Sequence, residues 1–276
     1  MKKLIKGLRE FKSSYFPANE ELFEQLSHGQ KPRVLFITCS DSRIDPNLIT
    51  QAGLGELFVI RNAGNIIPPF GATNGGEGAT IEYAIQALDI QQIIVCGHSH
   101  CGAMKGLMKL DSLRVEMPLV HDWLKYTEAT RRLVKDNYSD YEGEELLEII
   151  IAENVLTQIE NLRTYPVIRS KLHQGKLSIY AWIYQIETGE ILSYEAEKHA
   201  YVLLQNQLSP SEIDEALISP PLASNVEIHF TKTQQQSSQS SEELPISARE
   251  WFPMTVLSPE QMERIYRGSA TKNLPQ

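Results

Sequence analysis

The chain of 276 residues reads as an α/β protein, a mostly parallel β-sheet flanked by helices. Three features predict this. Val34–Ile37 and Ile93–Val95 are short apolar runs with β-branched residues, the pattern of strands covered on both faces. Each run is followed within a few residues by polar, chemistry-bearing side chains, and open α/β sheets collect their ligands at strand carboxyl ends. Between the strands lie segments with apolar residues at helical spacing, the longest being Glu144–Arg163.

Residues 1–30 predict two helices, with Leu4, Leu8 and Phe11 on one apolar face, Leu22, Phe23 and Leu26 on the other, and Pro17 interrupting them. Glu56–Arg61 is a further apolar strand. The loop Arg61–Gly78 is rich in glycine and carries Pro68–Pro69, so it is built of turns. No GxxxxGK[ST] occurs, and no GxGxxG follows a strand, so a nucleotide site is excluded. Thr80–Leu88 predicts a helix with Ile81, Ala84, Ile85 and Leu88 inward. Leu110–Asp140 is mostly helical. On Glu144–Arg163 the polar Asn154 and Gln158 interrupt an apolar stripe, where such a pair caps a neighbouring backbone or loop. Leu177–Glu187 alternates as a strand, expected antiparallel at the sheet edge, and Glu195–Leu208 has helical character.

Net charge is −9 and no basic stripe occurs, which disfavours nucleic acid. No apolar run of eighteen residues is present, and MKKLIKGLREF lacks the apolar core of a secretory signal. Three cysteines in this pattern fit a reducing compartment better than a disulfide framework.

His98 and Cys101 are three residues apart, just past the Ile93–Val95 strand, which puts both side chains on one side of a first helical turn. Cys39 lies just past the other buried strand. Two thiolates and an imidazole suit zinc. Read otherwise, the cysteines are small buried hydrophobes. That reading fits Cys96, inside an apolar strand, better than Cys39 or Cys101. Asp41 and Arg43, two residues apart, can pair through a forked guanidinium.

The blocks CSDSR at 39–43 and HSHCG at 98–102, flanked by ELFVIRNAGN at 56–65 and GGEGATIEYAI at 75–85, resemble the zinc-site motifs of the β-class carbonic anhydrases. ENVLTQIENL at 153–162 and the WxYxxxTG pattern from Trp182 to Gly189 extend the resemblance, which within that family is nearest to the cyanobacterial carboxysomal enzymes with a C-terminal extension. The resemblance implies a mostly parallel sheet of four strands plus an antiparallel edge strand. It implies a lyase interconverting CO2 and bicarbonate, with one zinc per subunit held by Cys39, His98 and Cys101. Arg43 would hold Asp41 off the metal, with Asp41 a fourth ligand only in a closed state. Gln30, Phe58, Tyr83 and Gly102 would line the substrate pocket. By periodicity alone, Phe58 is equally a core residue and Gln30 a solvated turn residue.

The implied assembly is a homodimer or a multiple of dimers, with dimerising helices over 1–30 and a zinc catalytic domain over 31–190. An extension over 191–230 and a polar linker over 231–250 follow. A short helical tail over 251–276 would dock on a carboxysomal scaffold protein, and the enzyme would supply CO2 to Rubisco in that compartment. Ser258 as N-cap, Pro259 at the first helical position and Gly268 beyond the end support the tail helix, with Met262, Ile265 and Tyr266 on its apolar face. Two alternatives share the motifs: an inactive zinc-bearing structural protein, and a carbon disulfide or carbonyl sulfide hydrolase.

Overall fold

Leu35, Phe36, Ile37, Ile93 and Val95 are all fully buried, and a strand covered on both faces needs no alternation. The computed structural model describes residues 1–73 and 75–204. Strands β1 (Val34–Cys39), β2 (Leu57–Asn62), β3 (Gln92–His98), β4 (Ser178–Tyr184), β5 (Ile191–Glu195) and β6 (Ala200–Leu203) form one sheet in the order β2-β1-β3-β4-β5-β6. The first four run parallel. β5 and β6 continue the sheet antiparallel.

β4 corrects the expectation for Leu177–Glu187. It pairs parallel to β3, with Cys96 opposite Trp182 and His98 opposite Tyr184. Its alternation is real, with Ile179, Ala181 and Ile183 buried, but alternation reports one better-covered face and not strand direction. The antiparallel edge is instead the β5–β6 pair, so the sheet runs on past residue 190. The helix expected from Glu195 is also corrected. A turn with His199 at φ 48° leads into β6, and the Lys198–Glu195 ion pair at 2.6 Å spans that turn. Residues 205–208, the remainder of the extension, the linker and the docking tail lie outside the described residues.

At the N-terminus Pro17 does not interrupt the chain. Lys2–Glu10, a π-helical turn Phe11–Tyr15 and Phe16–Ala18 follow one another in helical backbone, and Pro17 sits just past the π-helical turn. The break falls at Asn19, φ −128°, ahead of Glu20–Ser27. None of these segments has a buried residue. Phe11, Tyr15, Phe16 and Phe23 pack on each other instead.

The helix Gly143–Arg163 covers β3, and Gly97 sets how closely. A Cβ on Gly97 would lie 2.9 Å from Val155 Cγ2 and 3.2 Å from Ile151 Cγ2. Helix Gly76–Gln86 carries the chain from β2 to β3, on the far side of β1. The connections leaving β1 and β3 therefore diverge, and the crevice between their carboxyl ends is the topological switch point. Among the described residues, no helix is long and apolar enough to cross a membrane.

Candidate metal centre

That crevice holds the three sequence-predicted ligands. β1 ends on Cys39, β3 ends on His98, and Cys101 immediately precedes helix Gly102–Met108. Their ligand atoms all lie within 4.8 Å of one another, and all three residues are buried. The two sulfurs are 4.0 Å apart; thiolates about 2.3 Å from one tetrahedral zinc would be about 3.8 Å apart. His98 Nδ1 lies 2.8 Å from the Ser99 carbonyl oxygen. That bond places the hydrogen on Nδ1 and leaves the lone pair on Nε2. Nε2 is buried with no hydrogen-bond partner. A buried nitrogen lone pair without a partner, facing two sulfurs, is what a zinc ion would satisfy. The hydrogen bond with Cys101 pushes the Cys39 thiol down, while the same bond and burial push Cys101 up. Cys96 shows the contrast. It is buried within β3, and desolvation pushes its thiol up to about 12, so it packs as an inert side chain, as expected.

Asp41 stands at the rim of this cluster, its Oδ2 3.9 Å from His98 Nε2. Arg43 engages both carboxylate oxygens, Nε donating to Oδ1 at 2.9 Å and Nη2 to Oδ2 at 2.8 Å. The Arg43 backbone N–H adds a third bond to Oδ1 at 3.0 Å. The guanidinium holds the carboxyl well below the usual range. Arg43 Nη2 also donates to the His100 carbonyl at 3.1 Å. His100 has left-handed backbone, φ 53°, and its ring sits between Glu144 and Glu187. The fork is thus tied to the loop that carries two of the ligands.

The family model for carbonic anhydrase matches residues 34–191, which contain every one of these groups. The chain belongs to the carbonic anhydrase family. It is 56% identical to the carbonic anhydrase of Synechocystis sp., over 98% of this chain and 100% of that one. The solved structure of the β-carbonic anhydrase CcaA superimposes with a TM-score of 0.73 and 66% identity, covering 74% of this chain and 98% of that chain. A structure reported for two tetrameric β-carbonic anhydrases of the ascomycete Sordaria macrospora gives a TM-score of 0.63 at 28% identity, covering 69% of this chain and 94% of that one.

For a β-carbonic anhydrase, the pocket residues divide in two. Gly102 opens helix Gly102–Met108 beside Cys101, and a Cβ there would meet nothing within 4 Å, so the backbone faces open space. Gln30, Phe58 and Tyr83 are not brought to the cluster within the chain. Phe58 pairs with Leu35, four residues before Cys39, which is about 13 Å along the strand. Its ring contacts Tyr83 at 6.1 Å, and Tyr83 is 50% exposed. Gln30 is exposed ahead of β1, at the same far end.

Several supporting residues lie in the quoted sequence blocks without a role that the resemblance assigns. Arg61 Nε donates to the Cys39 carbonyl at 3.0 Å, and its Nη2 to the Asp41 carbonyl at 2.6 Å. The Gly64 N–H donates to Cys39 Sγ at 3.4 Å. Gly64 has φ +83°, and a Cβ there would sit 2.8 Å from Met104 Cε. The polar stripe on Gly143–Arg163 holds this loop. Asn154 Nδ2 donates to the Gly64 carbonyl at 3.0 Å, Gln158 Oε1 accepts from Ile67 N–H at 2.8 Å, and Asn161 Nδ2 donates to the Ile67 carbonyl at 2.9 Å. Asn154 and Gln158 therefore cap a neighbouring loop as their place in an apolar stripe predicts.

Proposed function

We propose that the protein is a zinc-dependent carbonic anhydrase interconverting CO2 and bicarbonate, with Cys39, His98 and Cys101 holding one zinc per subunit. The observation that carries this is the buried, unpartnered His98 Nε2 facing two sulfurs, with an ionised Asp41 fixed at the rim. When bound, zinc supplies a Lewis acid that acidifies water at neutral pH. Asp41, kept ionised by Arg43, is an acceptor only, so it receives a hydrogen bond from the attacking water and orients it. Because both its oxygens are occupied by Arg43, it stays off the metal in the active form. The Gly102 N–H, at the open start of its helix, donates to a substrate oxygen. Gln30, Phe58 and Tyr83 complete the pocket of a second subunit, supported by the placing of exposed Gln30 and Tyr83 and half-buried Phe58 together at the opposite end of β1 and β2. The working unit is therefore a dimer or a multiple of dimers. The decisive experiment removes zinc by chelation and follows CO2 hydration by stopped flow. Activity should vanish and return with one equivalent of zinc per chain. Hydration that persists without metal would refute the assignment.

The enzyme's place is the carboxysome, where it would release CO2 from bicarbonate for Rubisco. Support comes from the carboxysomal character of the motifs and from the match to the Synechocystis protein, which spans 98% of the chain and so includes the tail. The segment 251–268 docks on a scaffold protein through Met262, Ile265 and Tyr266, with 231–250 as its tether. A chain truncated after residue 243 should keep hydration activity and lose capture by carboxysomal shell-organising proteins. Undiminished capture would place the docking surface elsewhere.

A further inference from the structure

Cys39 Sγ receives a backbone hydrogen bond from the peptide unit joining Ala63 to Gly64, ahead of a lesser one from the Asp41 N–H. The far side of that unit is held from outside the sheet. Trp123, on helix Pro118–Leu124, donates its indole Nε1–H to the Ala63 carbonyl at 2.8 Å. A trans peptide points its C=O and N–H in opposite directions within one plane, and the described residues contain no cis bond. Indole N–H, peptide and sulfur therefore form a single hydrogen-bonded line. Asn154 does not duplicate this role, because it binds the Gly64 carbonyl, which belongs to the next peptide. Gly64 cannot supply rigidity of its own, since its left-handed backbone is one that only glycine adopts freely.

We propose that Trp123 is a positioning residue for the metal ligand Cys39, fixing and polarising the Ala63–Gly64 peptide so that its N–H stays on the sulfur. This rests on the zinc reading of the Cys39, His98 and Cys101 cluster. A donor on the carbonyl strengthens the donor at the other end of the same peptide. An N–H on a thiolate draws charge from it, so the sulfur gives less to the metal and the metal remains a stronger Lewis acid. Trp123 itself touches neither sulfur nor substrate. Its ring is seated edge-on against Tyr126, centroids 5.7 Å apart, which separates ring packing from N–H donation experimentally.

The test uses the full chain loaded with cobalt(II) or zinc. Trp123→Phe removes the N–H, and β-(3-benzothienyl)alanine placed at 123 removes it while keeping the bicyclic volume. Tyr126→Leu removes the packing partner and leaves the N–H. In both variants lacking the N–H, the sulfur-to-cobalt charge-transfer band should move to lower energy. Zinc affinity, measured by competition with a chromophoric chelator, should fall about 10-fold, the lower end for loss of an outer-shell partner. The midpoint of the kcat/KM–pH profile should rise. Tyr126→Leu should leave band and affinity as in the wild type. An unchanged band and affinity in the benzothienyl variant overturns the proposal. So does an equal shift in Tyr126→Leu, which would assign the effect to packing. A wild-type protein that shows no sulfur-to-cobalt band refutes the zinc reading itself, and the proposal with it.

Discussion

Arg43 holds the Asp41 carboxylate with its Nε and Nη2 and the His100 carbonyl with Nη2 again. Lysine could not reproduce this, because a fork is needed to engage two oxygens at once. Arg43→Ala should free Asp41 to enter the fourth metal position. Zinc content should stay at one per chain while hydration falls at least ~100-fold, the scale of losing a fixed electrostatic partner. Near-normal turnover in that variant would show that Asp41 needs no restraint. Glu153 poses a different problem. It is 8% exposed, and burial pushes its carboxyl up to about 7, opposed by the hydrogen bond that Tyr138 donates to Oε1 at 2.9 Å. A folded-state value above the unfolded one means that the folded chain binds the extra proton between about pH 4.3 and 7. Stability therefore declines across that window, and above it the buried charge costs up to ~4 kcal/mol. Glu153→Gln should raise Tm at pH 8 and change it little at pH 4. Equal effects at both would mean that Glu153 does not titrate there.

The elements that carry the ligands were legible because their chemistry is local. Cys39 ends one apolar run and His98 another, so strand ends and ligands are read together. Strand direction was not legible at β4, where alternation is the same in either orientation. Nor was the N-terminal break: Pro17 is the conspicuous residue, yet helical backbone runs through it beyond a π-helical turn, and the break comes at Asn19. Trp123 was invisible for another reason: it acts on the Ala63 carbonyl, 60 residues away in sequence, and a backbone contact leaves no side-chain pattern. Arg61 and Gly64 stood inside the block ELFVIRNAGN, but what they hold there, the Cys39 and Asp41 carbonyls and the Cys39 sulfur, did not show. The glycine inside β3 is a case where packing and site meet. Gly97→Ala would push β3 off helix Gly143–Arg163 next to His98. Overpacking of this kind costs about 1–3 kcal/mol, so the denaturation midpoint should drop and zinc should bind more weakly. Wild-type stability and affinity would show that the helix yields freely.

At the scale of the whole molecule, the N-terminal segments hold no fully buried residue, and Leu4, Leu8 and Phe11 are exposed although apolar. The same molecule leaves Phe58 and Tyr83 beside each other at the end remote from Cys39. The second subunit proposed above would cover both surfaces. Diluting the enzyme through its dissociation range should therefore abolish hydration in step with the loss of dimer by sedimentation. Full activity in a sedimenting monomer would show that each chain closes its own pocket.

The polar stripe on Gly143–Arg163 has one more consequence. Asn154, Gln158 and Asn161 meet Gly64 and Ile67 because their spacing follows the helical pitch, so the helix serves the loop as a ruler. Adding or deleting one residue between its start and Asn154 would rotate its two ends relative to each other by about 100°. A length change there would lift all three amides from the loop or turn the ligand-side packing at Gly97 outward. Evolution can vary the letters of this helix far more readily than their number, and insertions that the family tolerates should fall in the connections on either side.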